Sequence, residues 1–224
     1  MKNNTSTIEL LNLISELEAD SIFDKEQFTD KDKKILEYLK ELNNIYNITS
    51  KVACVTGHRP QKGLPKKYSY DYDTLAYQAL KITIKKQLVK DEITDAWTGM
   101  AHGVDTIFAY AVIELKEAGY PIKLHCAIPF ESHKDVFRGK SLTIYEEILS
   151  KADEIVIVSK ETKYNPALYQ ERNEYMVNKS SVVYAVCDKD TIMTTKSGTK
   201  NCVKYAKDLK RNIIYINPED LSIK

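Results

Sequence analysis

Glycine and hydrogen-bonding side chains recur where short apolar runs of this sequence end. The first of these places, Thr56-Gly57-His58-Arg59, follows the run VACV. Glycine lets a backbone approach a ligand closely, while hydroxyl, imidazole and guanidinium groups donate hydrogen bonds, the last two with a potential positive charge. We therefore predict that Thr56, Gly57, His58 and Arg59 contact an anionic ligand. The alternative is a simple turn with a solvated arginine.

A second glycine-bearing stretch, TGMAHGVD, runs directly into the most regular amphipathic pattern of the chain. The first amides of a helix have no acceptor within the helix and readily bind an anion. We predict phosphate or ribose contact for the residues of this stretch: Gly99, Met100, Ala101, His102, Gly103 and Asp105. Two alternatives stay open. The glycines would also allow tight packing of a helix on a strand, and the Asp105 carboxylate would also interact favourably with the positive end of the helix dipole. Neither the Walker A pattern nor the dinucleotide fingerprint is present.

Two later segments offer further polar groups. The segment KSGT opens a helical pattern, and Ser197, Gly198 and Thr199 are predicted to form an anion nest of amides and hydroxyls. An ordinary Ser/Thr helix cap is the competing interpretation. The segment QERNEYM places Arg172 and Tyr175 three residues apart on one helix face, a spacing that is more often only the solvated side of a helix.

The elements that position these residues alternate between strand and helix patterns from Lys51 onward. Runs such as EIVIV are apolar at consecutive positions, as expected for strands covered on both faces. Six runs predict strands: Lys51–Thr56, Ile93–Thr98, Ile122–Ile128, Glu154–Val158, Ser181–Cys187 and Asn212–Ile216. Helical spacing lies between them, at Val104, Ile107, Phe108, Ala111 and Leu115 and again at Cys202, Tyr205, Ala206 and Leu209. We therefore predict an α/β fold, a Rossmann-like, mostly parallel sheet flanked by helices, with ligands beyond the carboxyl ends of the strands.

Residues 1–48 show a different pattern, that of two amphipathic helices. Such helices cannot bury their apolar stripes alone, so they are expected to pack on the main domain or on another copy of the chain. We therefore divide the chain into an N-terminal helical extension, residues 1–48, and a nucleotide-binding domain, residues 49–224.

Composition narrows the classes of function. Thirty-three basic residues stand against 32 acidic ones, which argues against a protein that binds nucleic acid mainly through its phosphates. No apolar stretch approaches the roughly 18 residues of a membrane span, and no signal peptide is evident, so we expect a cytoplasmic protein without membrane contact. The four cysteines are scattered without a CxxC pair, which predicts reduced thiols and no metal site: Cys54, Cys126, Cys187 and Cys202.

Taken in order, the motifs resemble those of the SLOG superfamily: TGHRP, TGMAHGVD, Pro129-Phe130, YEEILSKADEIVIV, QERNEYMV and KSGTKNCVKYA. The resemblance covers about Lys51 to Asn217 and looks closest to the YpsA-like branch, related to DNA-processing protein A and the Lonely Guy proteins. It implies a nucleotide-binding fold, often homo-oligomeric, found in phosphoribohydrolases, DNA-handling proteins and sensors of nucleotide signals derived from NAD. It also implies that Glu171, Arg172 and Asn173 line the pocket together with the three glycine-bearing stretches.

The sequence departs from the Lonely Guy hydrolases at one motif. These enzymes carry PGGxGTxxE with a catalytic glutamate, whereas the run here, TTKSGTKNC, lacks Pro-Gly-Gly and places Cys202 at the glutamate position. Because cleavage of an N-glycosidic bond usually needs a carboxylate, we expect no catalytic residue and no required cofactor. The resemblance then implies a sensor or sequestering protein for a small-molecule nucleotide or ADP-ribose-type ligand, in a phage a sponge for immune signals such as cyclic ADP-ribose derivatives. The alternatives are a nucleotide N-glycosidase or phosphoribohydrolase that uses Glu171, and a DNA-associated regulator.

Overall fold

A six-stranded parallel sheet forms the centre of the computed structural model, which describes residues 51–161 and 165–224. Its strands are β1 Val52–Gly57, β2 Asp95–Thr98, β3 Lys123–Phe130, β4 Glu154–Ser159, β5 Val182–Val186 and β6 Asn212–Ile216. They are arranged in the order β4-β3-β2-β1-β5-β6, and every neighbouring pair is parallel. The predicted α/β class is confirmed. The predicted helical extension, residues 1–48, lies outside the described residues.

Within residues 51–161 and 165–224, five helices cover the two faces of this sheet. They are α1 Leu75–Lys90, α2 Val104–Glu117, α3 Lys140–Ser150, α4 Pro166–Lys179 and α5 Gly198–Asp208, with 3-10 turns at Glu131–Val136 and Ile192–Thr194. Helix α2 packs against α1 and α3, and α4 packs against α5, so each face has its own helical layer and its own apolar cluster. The apolar stripe predicted for α2 is buried at every position, from Val104 to Leu115. Within the described part of the chain no helix has the length and apolar character to cross a membrane.

Local hydrogen bonds move several predicted boundaries. Strand β2 begins at Asp95 instead of Ile93, because the Ile93 amide donates to the Leu88 carbonyl at 3.0 Å and completes the end of α1. Strand β3 continues to Phe130, which pairs with the last residue of β4. Leu209, predicted on the buried face of the last helix, is instead its C-cap and 40% exposed.

All four cysteines are free and buried within the apolar layers. Burial raises the pKa of Cys126 and Cys187 to about 12 and that of Cys202 to about 11. Since the thiolate is the reactive form, these side chains behave as small apolar groups at neutral pH.

A charged ladder crosses three strands near their amino ends. His125 of β3 contacts Asp95 Oδ1 of β2 through Nε2 at 2.9 Å and Glu154 Oε2 of β4 through Nδ1 at 2.8 Å. The imidazole also stacks on Trp97, with ring centroids 4.7 Å apart. Because each ring nitrogen lies within hydrogen-bond distance of a carboxylate oxygen, this ladder joins β2, β3 and β4 through side chains as well as by backbone pairing.

Replacing His125 with Leu should lower the free energy of unfolding by about 1.5–3 kcal/mol, since it removes at least one hydrogen bond to a carboxylate and leaves Asp95 with the Thr94 hydroxyl as its remaining side-chain partner. Urea denaturation measures the effect. Glu154→Gln is the control: the Glu154 side chain is 50% exposed, so losing its charge should cost about 1 kcal/mol or less. Equal denaturation midpoints for wild type and His125→Leu would show that the ladder does not stabilise the sheet.

Candidate functional site

The winding of the sheet reverses between β1 and β5, which are neighbours in the sheet but far apart in the chain. The first four strands extend the sheet to one side of β1, and the chain then returns to add β5 and β6 on the other side. At such a switch point the loops that leave adjacent strands diverge and leave a crevice beyond the carboxyl ends. A cavity of about 260 Å³, which we call the first cavity, lies at this point.

The first cavity is bounded by the end of β1, the loop before α2, one face of α4 and the start of α5. Its lining residues are Val55, Thr56, Gly57, His58, Arg59, Lys62, Ala101, Asp105, Tyr169, Arg172, Asn173, Lys196, Ser197, Gly198 and Thr199. The polar segments TGHR, TGMAHGVD, QERNEYM and KSGT each contribute residues to this lining.

Cationic side chains dominate this lining. Arg59, Lys62, Arg172 and Lys196 stand against a single carboxyl group, that of Asp105. The side chains of Arg59, Lys62 and Lys196 make no ion pair or hydrogen bond with any other residue that the structure describes. The sequence allows His58 a positive charge. Burial lowers the pKa of its imidazole, which disfavours that charge at neutral pH. The first cavity is suited to an anion.

The guanidinium of Arg172 lies beneath the first cavity and is only 4% exposed. Its Nη1 donates to the carbonyl of Gly99 and lies 3.5 Å from Asp105 Oδ2, and its Cζ lies 5.8 Å from the centre of the Tyr169 ring. The buried Nε has no hydrogen-bond partner among the described residues. A buried cation with an unused donor is unfavourable unless another acceptor reaches it, so the floor of the cavity favours an incoming anion.

The start of α5 adds backbone donors to the opposite wall. Ser197 is the N-cap, and its hydroxyl accepts the Lys200 amide at 3.1 Å. The amides of Gly198 and Thr199 lie in the first turn of α5, where no earlier helical carbonyl can accept a hydrogen bond from them. Neither amide has a partner within the described chain. No acidic residue occupies the first turn of this helix, so its positive dipole end is uncompensated. The predicted Ser/Thr cap is therefore present, and the anion nest stays a prediction for which the two free amides are available.

The loop before α2 uses its own amides more than the sequence suggests. The Ala101 amide donates to Asp105 Oδ2 at 3.1 Å, and the Gly103 amide donates to Tyr72 Oη at 2.9 Å. These two amides are not available to a phosphate, which corrects the prediction of a cradle formed by the whole stretch. Burial raises the pKa of Asp105, while Arg172 and the Ala101 amide oppose that rise. Asp105 thus orders the loop and accompanies the buried guanidinium.

Comparison with known proteins shows to which family the chain belongs. The family model YpsA, described as the YspA SLOG family, matches residues 53–221. The chain belongs to this family. The SLOG domain therefore includes every strand of the sheet except the first residue of β1, and all the segments around the first cavity.

Individual relatives cover much of the SLOG domain. The SPbeta prophage-derived protein YoqJ of Bacillus subtilis is 34% identical over 57% of this chain and 78% of its own length. A UPF0398 protein of Bacillus pumilus is 26% identical over 76% of this chain and 90% of its own length. A solved structure of DNA processing protein A from Helicobacter pylori, described for its binding of single-stranded DNA, aligns with a TM-score of 0.49 at 18% identity, covering 75% of this chain and 65% of that one.

Five of the predicted site residues lie outside the wall of the first cavity in this SLOG domain. They are Gly99, Met100, His102, Gly103 and Glu171. The Met100 side chain is 3% exposed, and the His102 ring packs on Phe137 with centroids 4.5 Å apart, so both belong to the packing behind the loop. Glu171 is exposed, because consecutive helical residues point about 100° apart and its neighbour Arg172 faces inward.

Sequence reasoning missed four residues of the lining: Val55, Lys62, Tyr169 and Lys196. Tyr169 precedes Arg172 by three residues on α4, a spacing that placed it on the same helix face and would have identified it. Lys62 returns to the cavity because its amide donates to the Arg59 carbonyl at 3.0 Å and closes a turn. Only the short polar segment QKG marked that turn in the sequence.

Packing requires glycine at three positions around the site. A Cβ on Gly57 would lie 2.5 Å from Val104 Cγ2, and one on Gly99 would overlap the guanidinium of Arg172. Gly103 has a φ of 89°, where other residues are strained, and a Cβ there would lie 3.0 Å from the His58 carbonyl oxygen. For Gly99 and Gly103 of the stretch TGMAHGVD, the structure therefore supports the alternative of tight packing.

Buried tyrosines hold the long loop between β1 and α1. Tyr68 Oη donates to the Pro218 carbonyl at 2.8 Å, and Tyr72 Oη accepts the amide of Gly103. Tyr77 Oη donates to the Ser69 carbonyl at 3.0 Å. These bonds fix the segment that carries two of the cations of the first cavity to the loops that follow β2 and β6.

Gly99→Ala should lower the free energy of unfolding by about 1–3 kcal/mol, because the added methyl group displaces the buried guanidinium of Arg172. Gly198→Ala is the matched control, since the nearest atom to its Cβ is Asn173 Nδ2 at 4.0 Å and its φ is not positive. Thermal and urea denaturation compare the two. Equal stability of both variants would mean that Arg172 does not rest against Gly99.

Proposed function

We propose that the first cavity binds a nucleotide-type small molecule through its phosphate groups. The observation that carries this proposal is the meeting of four cationic side chains with the free amides of α5 at the switch point of the sheet. Among the described residues of the lining, Asp105 alone carries a carboxyl group, and it already accompanies Arg172. Guanidinium groups, ammonium groups and helix amides are the groups that proteins use to bind phosphate. Membership of the SLOG family supports the same class of ligand.

We further propose that the protein binds this ligand without cleaving it. The hydrolase alternative relied on Glu171, which is exposed and does not line the first cavity. Cys202, at the position of the hydrolase glutamate, is buried in the apolar cluster between α4, α5 and the sheet. A site that holds phosphate without a free carboxylate suits a sensor or a sequestering protein.

We propose the sequestering form of this function for the case that the protein acts in a phage-infected cell, as the prophage origin of one relative would allow. In a phage-infected cell, an abundant protein that holds a signalling nucleotide intact lowers its free concentration. An ADP-ribose-type or cyclic nucleotide ligand and a homo-oligomeric, cytoplasmic protein remain part of the proposal.

Arg59→Ala should weaken binding of ADP-ribose about 10- to 100-fold, because one charge-assisted hydrogen bond contributes roughly 1.5–3 kcal/mol. Arg59 is exposed at the cavity mouth, so the fold should be unaffected. Isothermal titration calorimetry measures the affinity, after a thermal-shift panel of nucleoside monophosphates, ADP, ADP-ribose and cyclic ADP-ribose.

Lys86→Ala is the control, since Lys86 is an exposed cation on α1 that lines none of the cavities described here. Equal affinity of the two variants would place the binding site elsewhere. If no nucleotide of the panel shifts the melting temperature or gives heat, the proposed function is wrong. A single-stranded oligonucleotide in the same panel tests the DNA-associated alternative, which the formal net charge of +1 does not favour.

Asp105 gives the hydrolase alternative its one structural support, because it is the carboxyl group in the wall of the cavity and burial raises its pKa. We nevertheless expect no release of base from nucleoside monophosphates, NAD or cyclic ADP-ribose, with bound ligand recovered intact, as measured by chromatography of the reaction mixture. If the protein instead releases base over multiple turnovers, and Asp105→Asn or Glu171→Gln abolishes this activity, the hydrolase alternative is correct.

A further inference from the structure

A second cavity of about 460 Å³ adjoins the first on the side of β6. Four residues line both: His58, Lys62, Lys196 and Ser197. The two spaces therefore share a boundary formed by two unpaired ammonium groups and the N-cap of α5. The first cavity is slightly smaller than the roughly 300–1,000 Å³ typical of small-molecule sites, whereas the second lies within that range.

The two cavities differ in the chemistry of their remaining walls. Leu64, Ile192 and Pro218 give the second cavity apolar surface, and Asp188 and Asn217 give it polar groups. The first cavity has less apolar surface, which comes from Val55, Ala101 and the ring of Tyr169, and it contains the buried guanidinium.

The polar groups of the second cavity are held in place by local bonds. Asp188 Oδ1 accepts the Asp190 amide at 2.9 Å, and Oδ2 accepts the Thr191 hydroxyl at 3.0 Å. Asn217 Oδ1 accepts the Glu219 amide at 2.9 Å, which leaves its side-chain NH₂ without an acceptor in the described chain. A carboxylate has capacity for further hydrogen bonds, so these residues present one acceptor and one donor in fixed positions.

We infer that the second cavity holds the nucleoside part of the ligand whose phosphates occupy the first. The carboxyl groups of Asp188 and Glu219 disfavour a phosphate there and favour neutral hydroxyl and amino groups, while the apolar wall suits the face of a base or the carbon skeleton of a sugar. The shared ammonium groups of Lys62 and Lys196 lie where the phosphates and the nucleoside meet. This inference rests on the proposed function, because it assigns a second part of the same site.

The test compares pyrophosphate with ADP, which adds a nucleoside to the same two phosphates. Calorimetry on the wild-type protein should show that ADP binds at least about tenfold more tightly than pyrophosphate. Thr191→Trp places a large side chain in the wall of the second cavity, and it should remove about that gain while leaving the affinity for pyrophosphate unchanged within error.

Thr194→Trp is the matched control, because Thr194 is an exposed threonine of the same turn and does not line either cavity. Each threonine donates one hydrogen bond from its hydroxyl, so both variants lose the same kind of contact. The inference is wrong if ADP and pyrophosphate bind wild type equally, or if Thr191→Trp changes neither affinity or both alike. If, in those cases, pyrophosphate still binds and Arg59→Ala weakens that binding, the proposed function stands. If neither pyrophosphate nor ADP binds, the proposed function and this inference are both wrong.

Discussion

The buried guanidinium of Arg172 joins helix α4 to the loop between β2 and α2, which lies about 70 residues earlier in the sequence. It lies on α4, donates to the carbonyl of Gly99 after β2, and accompanies Asp105 at the start of α2. Transfer of such a cation from water is costly, and the single carboxyl beside it has a raised pKa because burial opposes its ionisation as well. The positive charge under the first cavity is therefore incompletely balanced by the protein, and this imbalance is one reason for proposing an anionic ligand.

Topology brings the other cations to the same place. Arg59 and Lys62 follow β1, whereas Lys196 precedes α5, more than 130 residues later in the chain. They meet because β1 and β5 are hydrogen-bonded neighbours whose exit loops turn away from each other. A sheet wound in one direction only would place the same residues at separate edges, where three lone cations would be ordinary surface charges.

The sequence predicted the sheet and most of the site because both depend on local patterns. Buried strands read as continuous apolar runs, and exit loops such as Thr56–Arg59 and Ser197–Thr199 are marked by glycine and hydroxyl side chains. What it did not predict depends on contacts made across the fold. Glu171 was grouped with Arg172 although the helix turns them to different sides, and the Gly103 amide is taken by Tyr72, whose position in a long irregular loop no periodicity reveals. The second cavity was missed for the same reason, since its walls come from three exit loops that only the folded chain brings together.

The tyrosine hydroxyls of the β1–α1 loop have a consequence for the speed and the entropy of recognition. A loop that must order around its ligand loses conformational freedom at the moment of binding, which weakens the complex and slows its formation. Here Tyr68 and Tyr72 fasten that segment to Pro218 and Gly103, and these bonds form when the chain folds. The ligand proposed above would therefore meet a backbone that is already ordered, and its binding would cost little of the conformational freedom of this loop.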